Sequence, residues 1–182
     1  LMFRKFALKN KRTIRLSKSS LSFREQKAIE KVIKNEFLGM GNYVKQFEDS
    51  LTNFFKRDAV CVVNGTAALH LALQACGLKK GDEVLVQSIT YLASFQAISA
   101  LGAIPIACDV NLNSLTLDVK DARQKITSKT KAIMPVHYGG SVGEYHEIYE
   151  LAKKFNLRVI EDAAHAFGTI NKNQFVGSTG DI

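Results

Sequence analysis

The sequence has no tryptophan and only two prolines and three cysteines among its 182 residues. Cys61, Cys76 and Cys108 stand singly in apolar stretches with no C-x-x-C pair, which argues against a disulfide framework and against a zinc site. No apolar run approaches the length of a membrane-spanning helix, and the N-terminus lacks the apolar core of a secretory signal. We therefore expect a soluble cytoplasmic protein with no metal site and no membrane partner.

Acidic residues are absent from the first 24 residues, which contain eight lysines and arginines. The whole chain has 25 basic and 17 acidic residues, so subtracting these eight leaves residues 25–182 with 17 of each sign. The net charge of +8 thus belongs to the first 24 residues, and we assign a basic N-terminal arm to residues 1–20. Such an arm can attract phosphates, nucleic acid or an anionic membrane, or it can be a solvated leader; we do not expect nucleic acid as a partner.

Two amphipathic patterns predict that residues 21–56 form a helical segment. The first covers residues 23–36, with Ser22 as its N-cap and Glu25 as the capping-box partner. Its apolar residues fall on one helical stripe: Ala28, Ile29, Val32 and Ile33. The second pattern repeats the helical period over residues 43–55.

From residue 57 onward the pattern is that of an α/β domain, which we expect to be a mostly parallel sheet flanked by helices. Predicted strands lie at 59–63, 83–87, 104–108, 131–136 and 157–161. Predicted helices lie between them at 66–77, 91–101, 118–126 and 143–155. The strands are apolar on both faces, as in a parallel sheet covered on both sides. Binding sites in such sheets gather beyond the carboxyl ends of the strands.

The stretch Asn64-Gly65-Thr66-Ala67-Ala68 connects a predicted strand to a predicted helix. Free N–H groups and the positive end of the helix dipole make such a helix start a phosphate site. Gly65 lets the ligand approach the backbone closely, and Thr66 adds a hydroxyl. The alternative is a plain turn with an N-cap.

The stretch that runs from Glu161 to Ala166 directly follows the strand LRVIE. A carboxylate at the end of a buried strand is costly unless it is paired, so Asp162 could hold a positive charge such as a protonated ring nitrogen. His165 could donate to an oxygen of the same ligand. The alternative is that Asp162 caps a helix and His165 is a surface histidine.

Two further strand ends carry rings. Tyr91 follows the strand EVLVQ, where it could stack on a flat ligand or belong to the core. His137 precedes Tyr138 and two glycines at the end of another strand, where it could be bonded to the backbone of its own loop. A phosphate cradle, an aromatic plate, a carboxylate and a histidine together fit a flat, phosphorylated, cationic heterocycle such as pyridoxal phosphate. A dinucleotide site is the competitor, but no G-x-G-x-x-G follows any predicted strand.

These stretches resemble the large domain of the DegT/DnrJ/EryC1/StrS sugar aminotransferases, pyridoxal-phosphate enzymes of fold type I. The resemblance is carried by NGTAALHLAL (64–73), GDEVLVQSITYLAS (81–94), LGAIPIACDV (101–110), TKAIMPVHYGG (130–140), VIEDAAHAFGT (159–169) and VGSTGDI (176–182). The segment FLGMGNYVKQFE (37–48) is similar to the N-terminal portion of the family. The resemblance thus covers the chain from about residue 20 onward.

The resemblance implies a role for each matched residue. The cofactor-binding residues would be Gly65, Thr66 and Ala67 at the phosphate, Tyr91 stacked on the pyridine ring, Asp162 at the ring nitrogen and His165 near the phenolic oxygen. His165 would also be the catalytic residue within this chain. The family commonly has Ser where Asn64 stands and Pro where Gln87 stands.

The family's S-F-x-x-x-K segment, whose lysine forms the Schiff base, is expected shortly after Ile182. We therefore interpret the chain as an N-terminal portion, with residues 57–182 an incomplete cofactor-binding domain. The implied activity transfers an amino group from an amino acid such as glutamate to a nucleotide-linked keto-sugar, in a homodimer. Two alternatives stay open: a dehydratase of the same fold with histidine at the lysine position, and a truncated, non-catalytic relative that acts by binding.

Overall fold

The computed structural model describes residues 18–182, so most of the predicted basic arm lies outside the described residues. The chain divides into two compact units, with the boundary between Lys45 and Gln46. The α-helices are α1 (Phe23–Lys34), α2 (Asn42–Phe55), α3 (Gly65–Ala75), α4 (Ala93–Ala100), α5 (Val119–Gln124) and α6 (Tyr145–Phe155). The strands are β1 (Glu83–Gln87), β2 (Ile104–Cys108), β3 (Thr130–Met134), β4 (Arg158–Val159), β5 (Ile170–Asn171) and β6 (Gln174–Phe175). No helix in this part of the chain is both long and apolar enough to cross a membrane.

In the first unit, α1 begins with the predicted capping box. The Ser22 hydroxyl accepts the Arg24 N–H at 3.1 Å, and the Glu25 carboxylate accepts the Ser22 N–H at 2.6 Å. These bonds satisfy donors that have no partner inside the helix, which is why the helix starts here. The predicted apolar stripe is mixed in exposure: Ile29 is 59% and Ile33 is 60% exposed, whereas Ala28 and Val32 are half-buried.

The second unit is built on a parallel sheet, as predicted. Its strand order across residues 46–182 is β2-β1-β3-β4, and β1 and β2 have the predicted bounds. Leu85 of β1 lies opposite both Ile106 and Ile133, and Ile133 lies opposite Val159. Because all these strands run the same way, their carboxyl ends meet at one edge.

Alternate residues of the strands face two different apolar layers. Val84 and Val86 pack with α3 and α4 on one face, whereas Leu85 packs with α5 and α6 on the other. Each of these strand side chains is fully buried, and burying one of this size contributes about 1.5–3 kcal/mol. The arrangement confirms the predicted helix cover on both sides of the sheet.

The prediction of a strand at 59–63 is wrong, because the structure has no strand there. The backbone N–H groups in this stretch are held by side chains of α2 instead of by a neighbouring strand. Ala59 donates to Thr52 Oγ1 at 3.1 Å, and Cys61 donates to Glu48 Oε1 at 2.8 Å. A β-branched run forms a strand only where another strand is in reach, and none of the described strands pairs with this one.

The end of the chain adds two features that the sequence analysis did not predict. A hairpin joins β5 to β6 through Lys172 and Asn173, whose φ angles of 46° and 67° are those of a tight type I′ turn. Beyond it, the backbone N–H of Asp181 donates to the Val159 carbonyl at 2.8 Å, and the backbone N–H of Glu161 donates to the Ile182 carbonyl at 3.0 Å. The last residues of the chain therefore run along the free edge of β4.

Candidate functional site

A cavity of about 420 Å³ lies beyond the carboxyl ends of β1 and β3, at the edge where the sequence predicts a site. Its walls come from the start of α3, the loop between β1 and α4, the segment after β3 and the segment after β4. The lining residues are Asn64, Gly65, Thr66, Leu69, Thr90, Tyr91, Ala93, Val136, Tyr138, Asp162, Ala164 and His165. The structure thus brings together residues that are up to 101 positions apart (Asn64 to His165).

The start of α3 forms one wall of the cavity. Asn64 is the N-cap, and its Oδ1 accepts the Ala67 N–H at 2.9 Å. Within residues 18–182, no hydrogen-bond acceptor is found for the N–H groups of Gly65 and Thr66, the first two of the helix. A Cβ added at Gly65 would meet open space. An anion can therefore reach two unpaired donors at the positive end of the helix.

This geometry separates Ala67 from the other residues predicted to contact the phosphate. Its N–H is already bonded to Asn64, and Ala67 is absent from the lining of the cavity. Gly65 and Thr66 remain the groups of this loop that an anion could approach.

The Asp162 carboxylate belongs to another wall of the cavity. The residue is only 8% exposed, and its Oδ2 accepts the Ser94 hydroxyl at 2.9 Å. Ala164 N–H lies 3.3 Å from Oδ1, a longer contact. The Ser94 hydroxyl is itself 2.8 Å from Thr90 Oγ1. The carboxylate is thus held through one oxygen, while the other is left with a single weak donor on the side of the cavity.

Ser94 was not found from the sequence, although a signal exists. It is a fully buried polar residue on α4, a helix that is otherwise mostly apolar. It follows Thr90 by four residues, Thr90 lying in the loop before α4. A pair of hydroxyls at this spacing directly after a strand end could have been read as a ligand set for a buried carboxylate.

Tyr91 and His165 both line the cavity and are accessible from outside. Tyr91 is 75% exposed, so the alternative that it belongs to the core is excluded, and its predicted stacking on a flat ligand stays a prediction. His165 Nδ1 accepts the Gly139 N–H at 3.3 Å, which leaves the proton of the neutral ring on Nε2 as a donor. The Tyr138 ring, with its centroid 5.6 Å from that of His165, was not predicted as a site residue.

His137 does not belong to this cavity. Its ring is 1% exposed and pairs with the Glu161 carboxylate, with 2.9 Å between Nε2 and Oε2. The alternative in which His137 is bonded to the backbone of its own loop does not describe its ring, whose partner is the Glu161 carboxylate. The reason is strand alternation: Glu161 and Asp162 point to opposite faces of the sheet, and His137 lies on the Glu161 side.

Glu161 is the most heavily bonded carboxylate of the described chain. Six donors reach it at 2.6–3.1 Å: His137 Nε2, the hydroxyls of Tyr145 and Tyr149, and the N–H groups of Gly177, Thr179 and Gly180. Burial alone would raise the pKa of Glu161, but these hydrogen bonds outweigh it and lower the pKa to about 2. Burial of the Tyr149 hydroxyl, together with the neighbouring Glu161 charge, raises the pKa of Tyr149. Glu161 thus fastens the segment 177–180 to α6 and β4.

The start of α3 and the Asp162 carboxylate together define what the cavity can bind. Unpaired N–H groups at one side favour an anionic group, and the buried Asp162 favours a protonated nitrogen. Tyr91, which lines the same cavity, offers an aromatic face. The arrangement suits a flat ligand that carries an anion at one end and a cationic ring nitrogen at the other. Among residues 18–182, no group of three or more His, Cys, Asp or Glu side chains could hold a metal ion.

Comparison with protein families gives a match over most of the chain. The model of the DegT/DnrJ/EryC1/StrS aminotransferase family matches residues 20–182. Among curated proteins, GDP-perosamine synthase of Escherichia coli O157:H7 is 44% identical over 165 residues. That alignment covers 90% of this chain but 45% of the relative, so the chain spans less than half the length of the relatives it matches.

Solved structures give the same result. An aminotransferase from Psychrobacter cryohalolentis superposes with a TM-score of 0.84 at 35% identity, covering 88% of this chain and 42% of the other. A GDP-4-keto-6-deoxymannose-3-dehydratase, solved with a trapped PLP-glutamate geminal diamine, gives a TM-score of 0.85 at 28% identity. This match covers 92% of the present chain and 45% of the dehydratase.

Proposed function

Since the chain belongs to the DegT/DnrJ/EryC1/StrS aminotransferase family, we propose that the complete protein is a pyridoxal-phosphate-dependent aminotransferase acting on a nucleotide-linked keto-sugar. The amino group would come from an amino acid such as glutamate. The observation that carries the proposal is the cavity in which Asp162, nearly buried and held by Ser94, shares walls with the unpaired N–H groups of α3. The proposal concerns the whole protein, because the chain spans under half of its relatives.

The residues present fit the cofactor at each end. Gly65 and Thr66 would hold the phosphate through their N–H groups, and the Thr66 hydroxyl could add a further bond. Tyr91 would stack on the ring, and Asp162 would accept the ring N–H. His165, with its Nε2–H free, would donate to the phenolic oxygen. Ala67 is a weaker candidate, because its N–H is bonded to Asn64.

Pyridoxal phosphate, when bound, supplies an electron sink for the substrate carbon that loses a proton. The Asp162 carboxylate serves that chemistry by keeping the ring nitrogen protonated. Ser94 holds Oδ2 of the carboxylate, so the direction of Oδ1 is fixed before the ligand arrives. The cavity itself excludes part of the water around these charges, which strengthens their attraction.

The substrate class follows from the relatives. The E. coli relative is named a GDP-perosamine synthase, and a 41% identical protein of Aneurinibacillus thermoaerophilus is named a dTDP-3-amino-3,6-dideoxy-alpha-D-galactopyranose transaminase. Both names contain a nucleotide-linked amino sugar, so we propose a nucleotide sugar as the amino acceptor. We also propose a cytoplasmic homodimer, with the family's lysine in the S-F-x-x-x-K segment expected after Ile182.

The test is a titration of the complete protein with pyridoxal phosphate, followed by an assay for amino transfer. We expect an absorbance band near the visible edge and transfer of nitrogen from glutamate to a nucleotide-linked keto-sugar, with 3-keto and 4-keto substrates both offered, detected by mass spectrometry. Asp162→Asn should weaken both, whereas the control Asp58→Asn, at an exposed acid away from the cavity lining, should weaken neither. A protein that neither binds the cofactor nor transfers nitrogen would contradict the proposal.

A second candidate function is supported by the dehydratase structure, whose TM-score of 0.85 matches that of the aminotransferase. A dehydratase would remove a sugar hydroxyl and leave no nitrogen on the sugar. The same mass-spectrometric assay separates the two activities, and the residue at the lysine position is expected to be histidine in a dehydratase. If the protein binds the cofactor but alters no nucleotide sugar, the remaining alternative is a relative that acts by binding.

A further inference from the structure

Gln87, the last residue of β1, is a fully buried amide that is bonded in four directions within the described chain. Its Nε2 donates to the Ile89 carbonyl at 2.8 Å and to the Leu115 carbonyl at 3.1 Å. Its Oε1 accepts the N–H groups of Leu117 at 3.2 Å and Val136 at 3.1 Å. A primary amide has two donor hydrogens and two acceptor lone pairs, so the side chain is saturated.

Two of these bonds lead directly to walls of the cavity. Ile89 immediately precedes Thr90 and Tyr91, which line the cavity, so the bond to its carbonyl fixes the start of that loop. Val136 also lines the cavity, and its segment is in turn bonded to the backbone of Asp162. The Asp162 N–H donates to the Pro135 carbonyl at 3.0 Å, and the His137 N–H donates to the Asp162 carbonyl at 3.0 Å.

Gln87 therefore connects the loop that bears the aromatic ring with the segment that holds the buried carboxylate. Ser94 closes the connection from the other side, since it lies between Thr90 and Asp162. None of the backbone groups that Gln87 pairs belongs to a strand ladder of the sheet. Without the amide, four buried or half-buried backbone groups would lose their partners.

We propose that Gln87 is a positioning residue that sets the separation between the Thr90–Tyr91 loop and Asp162. The proposal takes the identity of the ligand, pyridoxal phosphate, from the proposed function. The fixed separation matters because a flat ring must contact Tyr91 on its face while its nitrogen reaches Asp162 at its edge.

The first experiment measures the dissociation constant of pyridoxal phosphate for the complete protein and for Gln87→Met, which keeps the length of the side chain and removes its polar atoms. We expect binding to be roughly tenfold weaker, because the variant loses buried hydrogen bonds that hold the two walls of the cavity. Two controls accompany it. Gln74→Met makes the same change at an exposed site on α3, and Leu151→Ala destabilises the opposite face of the sheet. Both should bind the cofactor as the unchanged protein does.

The second experiment needs no ligand and therefore tests Gln87 even if the proposed function fails. Hydrogen–deuterium exchange of the ligand-free protein should show faster exchange at the Leu117 and Val136 amides in Gln87→Met. Gln87→Glu serves as a second variant if the methionine variant does not fold. It keeps the acceptor oxygens and loses both donor hydrogens when ionised, so Leu117 and Val136 should stay protected while residues 88–91 become more mobile.

The outcomes are distinct. If the unchanged protein does not bind pyridoxal phosphate, the proposed function is wrong and the exchange data alone decide the role of Gln87. If Gln87→Met binds the cofactor as tightly as the unchanged protein, Gln87 does not position the site. If Leu151→Ala weakens binding as much as Gln87→Met, the effect comes from general loss of stability and the proposal is likewise overturned. Unchanged exchange at Leu117 and Val136 in Gln87→Met, or unchanged exchange at residues 88–91 in Gln87→Glu, would overturn it as well.

Discussion

Replacing Glu161 by glutamine should destabilise the protein by about 3 kcal/mol at neutral pH, and the loss should fade in acid. The magnitude comes from the carboxyl's pKa, which is about 2 in the folded protein against an ordinary value of 4.5. The difference of about 2.5 pKa units, at about 1.4 kcal/mol per unit, gives the free energy by which folding favours the ionised form. Glutamine has no charge and turns an NH₂ group toward donors, so it loses this contribution.

The sign of the pH dependence follows from the direction of the shift. A carboxyl whose pKa is lowered by folding stabilises the native state fully above its unfolded pKa, near 4.5. That contribution is lost progressively as the pH falls from about 4.5 through about 2. The difference in unfolding free energy between the unchanged protein and Glu161→Gln should therefore be constant from pH 6 to 7. It should shrink steadily below pH 4.5.

The assay is urea unfolding of both proteins at several pH values, followed by circular dichroism. Glu150→Gln is the matched control, because Glu150 lies on the same helix as Tyr149 but is exposed. We expect the control to stay within about 0.5 kcal/mol of the unchanged protein. If Glu161→Gln behaves like this control at pH 7, or if its deficit does not shrink in acid, the hydrogen bonds described do not stabilise the charge and the reasoning is refuted.

Three further changes test other parts of the structure. Ser22→Ala should remove the N-cap of α1 and cost about 1 kcal/mol of helix stability, seen as faster amide exchange in its first turn; unchanged exchange would contradict the capping box. Gly143→Ala should cost about 2 kcal/mol or more in urea unfolding, because φ is +59° and a Cβ there would overlap the Thr116 side chain; a neutral effect would show that the backbone can move away. Ser94→Ala should weaken pyridoxal-phosphate binding about fivefold by removing the hydroxyl that holds Asp162, and equal affinity would mean that the carboxylate is positioned by other groups.

Glu161 and Asp162 show how adjacent acids acquire different tasks. Their side chains leave the strand end on opposite faces, so one meets α6 and the segment 177–180 while the other meets α4 and the cavity. Glu161 receives enough donors to remain ionised in a buried place. Asp162 keeps one oxygen available, which is what a ligand-binding carboxylate requires.

Much of the fold could be predicted because the main elements have local causes. The bounds of β1 and β2 follow from short apolar runs, and the start of α1 follows from the Ser22–Glu25 capping box. The strand at 59–63 could not be judged in the same way. Its β-branched residues suit a strand, but a strand needs a neighbour, and the N–H groups of Ala59 and Cys61 are held by α2 instead.

The candidate site was predicted in part for the same reason. Thr66, Tyr91 and Asp162 each follow a predicted strand or open a predicted helix, and the topology of a parallel sheet brings such places to one edge. The partners of these residues could not be read from the chain. Ser94 stands 68 residues from the carboxylate it holds, so the polar residue could be noticed locally, but its partner Asp162 could not be identified.

The sequence by itself determined most of the helices and strands of the parallel-sheet unit, the edge of the sheet where a site must lie and the residue types available there. These properties depend on period, capping and apolar runs, which act over a few residues. Only the tertiary structure decided that His137 pairs with Glu161 and not with a ligand. It also decided that the Ala67 N–H donates to Asn64 and that Gln87 joins two walls of the cavity. Those outcomes depend on which side chains meet after distant segments pack, and packing is a property of the whole fold.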